Sequence, residues 1–254
     1  MGVAERTRIK PIIVSLLVLF LVLPNISPSA EGGTECSITC ELMHAIEARE
    51  SVVELEWEGE KFLSQDDFRG PLEEALEGDL YLQASVESVA MELHFDGRRS
   101  RLVARFKYRL TDEEQAFVEK WARQALEGIL HEGASHAGKV KAIHDHVISI
   151  LSYDASGKND NAYRALMTGE ATCQGYALLF YEMLRQTELS QQLVAGNDHM
   201  WNRVLIDGEW YHVDCTYDDL PHEISYKYFL KTDAEMKSFG RTWSFSDKAS
   251  ISFR

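Results

Sequence analysis

Apolar residues recur with two different spacings along the chain, and the change in spacing separates predicted helices from predicted strands. A spacing of about 3.6 predicts a helix from Thr111 to Gly133, a second helix ending near 151, and helices at 161–167 and 173–186. From residue 193 the spacing falls to two, which predicts strands at 193–196, 199–206 and 209–216. This order predicts an α+β fold with helices packed on an antiparallel sheet.

Residues 31–110 have a more mixed pattern, typical of an α/β N-terminal region ahead of a second domain at 111–254. Asp96-Gly97 lies between two apolar alternating segments and predicts a hairpin, with a loop longer than two residues because polar residues follow the glycine. The segments predicted here are a helix at 42–48, a strand at 52–57, helices on either side of Gly70-Pro71, and strands at 86–95 and 101–110.

The first thirty residues have the pattern of a secretory signal peptide. Basic residues precede an apolar run at 12–23, and small residues up to Ala30 follow it. As a helix the run would span about 18 Å, against about 30 Å for the hydrocarbon core of a bilayer. We therefore predict cleavage near Ala30, a secreted or cell-surface protein, and no stable membrane insertion afterwards. An uncleaved N-terminal membrane anchor is the alternative.

Composition excludes several classes of protein. The 254 residues are 45% hydrophobic and 26% charged, which is ordinary globular usage. The formal net charge of −15 would repel a phosphate backbone, so nucleic acid is not an expected partner. In an exported protein Cys36 and Cys40 could form a local disulfide, and two unpaired thiols are an equal alternative.

Cys173 is the first candidate for chemistry. It follows Thr172, a predicted helix cap, and the free N–H groups and dipole at a helix start favour a thiolate. Gly175 lets a backbone or a substrate approach the first turn closely. A single cysteine at a helix start is nevertheless a packing residue more often than a nucleophile.

The hairpin strengthens the case for catalysis. Asp207-Gly208 is a two-residue turn, so the numbers of opposed residues sum to 415, and Trp201 lies opposite Asp214. His199 then shares a face with Asp214 as its diagonal neighbour, within reach of an imidazole–carboxylate hydrogen bond. Such a pair fixes the histidine tautomer and leaves the other ring nitrogen to accept a thiol proton.

Three sequence blocks resemble the bacterial transglutaminase-like proteins, relatives of transglutaminases and papain-type cysteine proteases. The blocks are Lys139-Val140-Lys141-Ala142-Ile143-His144-Asp145 continuing to Tyr153-Asp154, Thr172-Cys173-Gln174-Gly175-Tyr176-Ala177, and His199-Met200-Trp201-Asn202 leading to the segment 208–216. The resemblance covers about 139–219, and the region from about 40 also looks similar. It implies a papain-like core, with a helix carrying the cysteine packed on a sheet carrying the histidine and the aspartate.

The resemblance also implies a Cys-His-Asp triad, which corresponds to Cys173, His199 and Asp214. One departure is Tyr217, where many members have Trp, and it affects the expected shape of the cleft rim. Gln174 and Tyr153 are candidate oxyanion donors beside the Cys173 backbone N–H, and packing is the alternative role for Tyr153.

Other residues receive weaker interpretations. Trp201 shares the triad face with Trp210 and would line a substrate cleft or cap the core. Alternation along the predicted strand places Cys215 on the face opposite the triad, so its thiol is expected in the core. His144 and His146 are i and i+2 on a helix and do not face each other, which disfavours a metal site and favours charged helix surface.

The resulting hypothesis is an exported cysteine-dependent enzyme acting on an amide, with no metal or organic cofactor. Its substrate would be a peptide or protein, with cell-wall peptides among the candidates. Water as acceptor makes the enzyme a peptidase or amidase, which is preferred because water is always present. A lysine amine as acceptor would make it a cross-linking transglutaminase. A non-catalytic peptide-binding module that retains the fold is a further alternative.

Overall fold

The structure, a computed structural model, describes residues 38–58 and 66–243. The predicted signal peptide and Cys36 lie outside these residues, and no helix within them is long and apolar enough to cross a membrane. The helices are α1 (Ile38–Glu47), α2 (Asp66–Glu77), α3 (Leu80–Ser85), α4 (Asp112–Ile129), α5 (His136–Ile150), α6 (Ala162–Thr168), α7 (Cys173–Leu184), α8 (Cys215–Asp218) and α9 (Asp233–Ser238). The strands are β1 (Val52–Glu58), β2 (Val86–Phe95), β3 (Arg99–Tyr108), β4 (Ser152–Tyr153), β5 (Glu170–Ala171), β6 (Gln191–Gly196), β7 (His199–Ile206), β8 (Glu209–Val213), β9 (Asp219–Leu220), β10 (Glu223–Ile224) and β11 (Phe229–Lys231).

The N-terminal region contains a three-stranded antiparallel sheet in the order β1-β3-β2. Its hairpin turns through residues 96–98 because the Asp96 carboxylate accepts hydrogen bonds from the backbone N–H groups of Arg98 (2.9 Å) and Arg99 (2.8 Å). The loop is longer than two residues, as the sequence predicts. The second strand begins at Arg99 rather than at 101, since these bonds complete the turn within three residues.

Side-chain caps fix where the central helices begin. Thr111 and Glu114 form the predicted capping box at the start of α4, in which each side chain accepts a hydrogen bond from the other residue's backbone N–H. The Ser135 hydroxyl accepts from Gly138 N–H at the start of α5, and the Thr172 hydroxyl accepts from Gly175 N–H at the start of α7. The helix carrying the candidate cysteine therefore begins where its cap predicts.

The second sheet has four strands in the order β11-β8-β7-β6, and its central hairpin has the predicted register. The opposed pairs run from Ile206 and Glu209 to Asn202 and Val213. Asp207 and Gly208 both have positive φ, which is the conformation that a two-residue turn of this kind requires.

The predicted continuation of β8 to residue 216 is wrong. The strand ends at Val213, and Asp214 caps the short helix α8, with its Oδ1 accepting from Tyr217 N–H at 3.1 Å. The opposition of Trp201 and Asp214 therefore does not form. The strand ends here because the capping carboxylate satisfies the Tyr217 N–H, one of the N–H groups at a helix start that have no intrahelical partner.

Helix α7 lies in the main hydrophobic core, and every residue from Gly175 to Leu184 is buried. The same core includes Leu42 of α1, Val118 of α4 and Val204 of β7. It thus joins residues on both sides of the predicted boundary at 110, and the division into two domains stays a prediction. A rigid, buried α7 fixes its N-terminal residue relative to the sheet.

Candidate active site

Cys173 is the first residue of α7, and a polar loop is packed against that helix turn. The Asp154 carboxylate organises the loop by accepting from the N–H groups of Ser156 (2.7 Å) and Asn159 (2.9 Å). The Asn159 carbonyl then approaches Gly175 so closely that a Cβ there would lie 2.6 Å from it. Gly175 is therefore required by the approach of this backbone.

His199, at the start of β7, lies between the other two candidate triad residues. Its Nε2 is 2.8 Å from Asp214 Oδ2, and the imidazole is hydrogen-bonded to the Cys173 thiol. Because Nε2 contacts the carboxylate, Nδ1 is the ring nitrogen left for the sulfur. The fold thus brings together three residues that are separated by 26 and 15 positions in the sequence.

The electrostatics of this line of residues favour an ion pair. Burial opposes a charged Cys173, but the His199 hydrogen bond and the backbone N–H groups of Met200 and Gln174 leave the pKa of its thiol below the ordinary value. Burial also opposes a charged His199, but Asp214 and Cys173 raise its pKa to about 9. Each charge stabilises the other, so the site favours a thiolate–imidazolium pair more than an isolated cysteine and histidine would.

Asp214 has two structural roles from a buried position. One carboxylate oxygen contacts His199, and the other accepts from the N–H of Tyr217. This shared use fixes the carboxylate against rotation, because each oxygen has its own partner. The end of β8 therefore positions the residue that orients the histidine.

Asn202 is a residue whose role the sequence patterns do not reveal. Its buried side-chain amide donates to the Ala177 carbonyl of α7 at 3.0 Å. The bond ties the helix carrying Cys173 to the strand carrying His199. The signal in the sequence is a polar residue at a core-facing position of a strand, which needs a partner when buried.

The structure separates the three secondary candidates. Gln174 lies next to the sulfur, with its backbone N–H directed at it. Tyr153 pairs with Ala171, two residues before Cys173, and is 60% exposed, with no hydrogen bond of its side chain to the three triad residues. Trp201 is 1% exposed, so it does not line an open cleft, and the core-capping alternative is correct.

Trp201 instead packs against the His199 ring and belongs to a buried network of hydrogen-bonded side chains. Its ring stacks on the His199 ring with centroids 5.8 Å apart, and its indole N–H donates to His212 Nδ1 at 2.8 Å. Because Nδ1 accepts, the His212 proton is on Nε2, which lies 2.9 Å from Asp233 Oδ1. Burial lowers the pKa of His212, in keeping with a neutral ring. Alternation along the predicted strand is the signal for His212, because a residue two positions before Asp214 lies on the same face.

The interpretation of His144 as charged helix surface is wrong. Its side chain is fully buried, with Nδ1 2.9 Å from Asp145 Oδ1 and Nε2 3.3 Å from Asp218 Oδ2. Packing of α8 against α5 covers this part of the helix. His146 is partly buried, and burial lowers its pKa. The described residues contain no cluster suited to a metal ion.

Cys215 is an unpaired, buried thiol, as expected, although it lies in α8 rather than in a strand. Burial, with nearby carboxylates such as Asp214 and Asp218, raises the pKa of its thiol well above the ordinary value. The pKa values of the two unpaired thiols in the described residues are therefore shifted in opposite directions. Cys40 is in a disulfide, and Cys36, its candidate partner in the sequence, lies outside the described residues.

Limited iodoacetamide treatment at pH about 6 should label Cys173 before Cys215, because an unperturbed thiol, with a pKa of about 8.5, is mostly protonated there. His199→Ala should slow the labelling of Cys173. Asp214→Asn should slow it less, because the helix start and the imidazole remain. Peptide mapping by mass spectrometry at several times measures both rates. A wild-type Cys173 that reacts no faster than a free thiol, with no change in His199→Ala, would contradict the prediction.

The candidate site lies in a part of the chain that is similar to known proteins. Residues 119–215 match the model of the transglutaminase-like superfamily. The kyphoscoliosis peptidase of Mus musculus is 28% identical over 125 residues, 41% of this chain and 19% of that protein. The kyphoscoliosis peptidase of Homo sapiens is 28% identical over 116 residues, 37% of this chain and 18% of that protein.

The match with these two curated relatives therefore spans about a fifth of their length. A solved structure of a TGase aligns with a TM-score of 0.40 and 14% identity, over 74% of this chain and 56% of the other. The segment matched by the superfamily model contains Cys173, His199 and Asp214.

Proposed function

We propose that this chain, a transglutaminase-like superfamily protein, is an exported cysteine-dependent enzyme that hydrolyses amide bonds in peptides or proteins. The observation that carries the proposal is the hydrogen-bonded line from Cys173 through His199 to Asp214 at the start of α7. A nucleophile, a base and an orienting carboxylate in contact are the parts that acyl transfer from an amide requires.

The reaction would proceed in two steps. The Cys173 sulfur attacks the amide carbonyl carbon and forms a C–S bond, and the carbonyl oxygen becomes an oxyanion. His199 gives its proton to the leaving nitrogen, the C–N bond breaks, and a thioester remains. Water then attacks the thioester while His199 takes up its proton, and the C–S bond breaks to release the acid and the thiol.

The start of α7 would stabilise the oxyanion. The first N–H groups of a helix have no intrahelical partner, and the helix dipole is positive there. We propose the Cys173 backbone N–H as one donor and Gln174 as the second, with Tyr153 as the alternative second donor. Asp214 would keep the histidine ring in place and stabilise its positive charge without itself taking up a proton.

A peptide library tests the function and distinguishes its alternatives. Purified protein lacking residues 1–30 would be incubated with glutamine-containing and cell-wall-type peptides, with and without a primary amine, and the products weighed by mass spectrometry. Hydrolysis leaves an acid, whereas transamidation leaves the amine attached. Conversion only in the presence of amine would establish a cross-linking enzyme instead. No conversion and no thioester at Cys173 would favour the binding module.

The pH dependence of kcat/KM is expected to be bell-shaped. The rate should rise as Cys173 loses its proton, at a pH below the ordinary range for a thiol, because its pKa is lowered. It should fall near pH 9, where His199 loses the proton that the leaving nitrogen needs. Asp214→Asn should move the alkaline limb to lower pH, since the carboxylate no longer stabilises the imidazolium.

The control for that shift is Glu127→Gln, which removes one exposed carboxylate from α4 and should leave both limbs in place. An alkaline limb that stays at the same pH in Asp214→Asn would refute the proposed role of the carboxylate.

A further inference from the structure

An aromatic surface carrying two cations lies directly beside His199. The Tyr217 ring is 4.3 Å from the His199 ring, centroid to centroid, and it is followed by Tyr228 and Phe239 at 5.4 Å steps. We call these three rings, together with Lys227 and Arg241, the aromatic rim. Tyr217 and Phe239 are 40% and 37% exposed, so the rim is accessible to a bound substrate.

The cations of the rim are held by rings rather than by carboxylates. The Arg241 guanidinium lies 3.9 Å above the centre of the Tyr217 ring, and its Nη1 is 3.3 Å from the Tyr217 hydroxyl. The Lys227 ammonium is 5.2 Å from the centre of the Tyr228 ring. Neither cation pairs with a carboxylate within residues 38–58 and 66–243. Within the part of the chain that the structure describes, both charges are therefore available to a ligand.

The position of Arg241 is fixed by a short segment, residues 241–243, packed on the turn that precedes His199. Thr242 donates its backbone N–H (2.7 Å) and its hydroxyl (3.0 Å) to Asn197 Oδ1. A Cβ at Gly196 would collide with the Thr242 carbonyl, so the absence of a side chain there permits the contact. Arg241 N–H also donates to the Met236 carbonyl at 3.1 Å. The guanidinium is therefore positioned before a ligand arrives, which lowers the entropy cost of binding.

The chemistry of this position indicates a carboxylate ligand. A guanidinium presents a planar fork of N–H donors that matches a carboxylate, and stacking on an aromatic ring displaces part of its water and strengthens the attraction. One tyrosine ring separates it from His199. The guanidinium is thus at most about 8 Å from the His199 ring. One or two residues of an extended peptide, at about 3.3 Å each, together with the length of an acidic side chain, cover that distance.

Resting on the proposed function, we propose that Arg241, assisted by Lys227, binds an acidic residue of the substrate one or two positions from the amide that Cys173 attacks. The substrate class is thus peptides with an Asp or Glu side chain, or a free α-carboxylate, close to the scissile bond. Asp198 is the exposed carboxylate in the turn before His199, and its repulsion would limit the preference to one side of that bond.

Paired peptides test this proposal. A peptide cleaved by the wild type would be made with Glu or Gln at each position flanking the scissile amide, and kcat/KM measured for each pair. At one position the wild type should prefer Glu about tenfold or more, the size of one hydrogen bond to a charged group. The preference should fall with added salt, which screens the interaction.

Variants identify the responsible cation. Arg241→Met should reduce the ratio of Glu to Gln peptides to about one, and Arg241→Lys should retain part of it, because the charge remains without the fork. Lys120→Met removes the same charge from the exposed surface of α4 and should leave the ratio unchanged. Circular dichroism melting confirms that each variant is folded, and Arg241→Lys keeps the test decisive if Arg241→Met does not fold.

The outcomes separate this proposal from the function on which it rests. Cleavage of Glu and Gln peptides at equal rates at every position overturns the acidic preference and leaves the enzyme intact. A preference that persists in both Arg241 variants, or that disappears in Lys120→Met, also overturns the role of Arg241. Failure of the wild type to form a thioester with any peptide overturns both proposals.

Discussion

Replacing Cys173 by Ala is expected to reduce amide cleavage by a factor on the order of 10⁴ or more, because the remaining site can bind and polarise the substrate but has no nucleophile. The fold should remain, since Cys173 is only partly buried and the cap of α7 is made by Thr172 and Gly175. The measurement is kcat/KM on the peptide cleaved best, together with the midpoint of thermal unfolding.

Cys215→Ala is the matched control for that variant. It removes a thiol of the same size from a fully buried site, where the raised pKa keeps the sulfur protonated. It is expected to lower the free energy of unfolding modestly while activity is retained, since a small cavity replaces the sulfur. Activity that is lost in Cys215→Ala and kept in Cys173→Ala would reverse the assignment of the nucleophile.

His199→Ala is expected to produce a loss of similar size, on the order of 10⁴ in kcat/KM. Without the imidazole, Cys173 loses the hydrogen bond and the positive charge that favour its thiolate, and the leaving nitrogen loses its proton donor. Single-turnover kinetics would locate the loss in formation of the thioester rather than in substrate binding.

Asp214→Asn is the graded comparison. The asparagine amide has a single acceptor oxygen, so it can keep the cap at Tyr217 N–H or accept from His199 Nε2 but not both; the negative charge is removed, while the imidazole itself remains. Its loss of activity should therefore be smaller than that of His199→Ala.

More than a tenth of wild-type activity in His199→Ala would rule out His199 as the proposed base.

Local chemistry makes a large part of the site predictable from sequence. The cap at Thr172 places Cys173 at a helix start, and the Asp207-Gly208 turn sets the register of β7, which begins at His199, against β8, which ends one residue before Asp214. Caps and two-residue turns depend on neighbours within about four positions, so a single sequence contains them in full. The predicted α+β fold is confirmed, and residues 119–215 match the transglutaminase-like superfamily model, as the resemblance implies.

The interpretations that fail concern depth of burial. Alternation assigns Trp201 to a face of β7, but it does not report that α9 and residues 241–243 cover that face. His144 looks like surface on its own helix until α8 is packed against it. Burial depends on elements that are distant in sequence, and no local pattern carries that information.

From the sequence alone, caps and the two-residue turn predict the starts of α4 and α7 and the register of β7 against β8, and the motifs single out the three residues that we propose carry the chemistry. Three features appear only in the folded chain: Asp214 ends its strand as a helix cap, the Cys173 thiol meets the histidine ring, and Arg241 lies over Tyr217 beside the site. The division has a physical cause. Hydrogen bonds within a turn or cap are fixed by a few adjacent residues, whereas contacts between α7, β7 and residues 241–243 form only when the shared core brings those segments together.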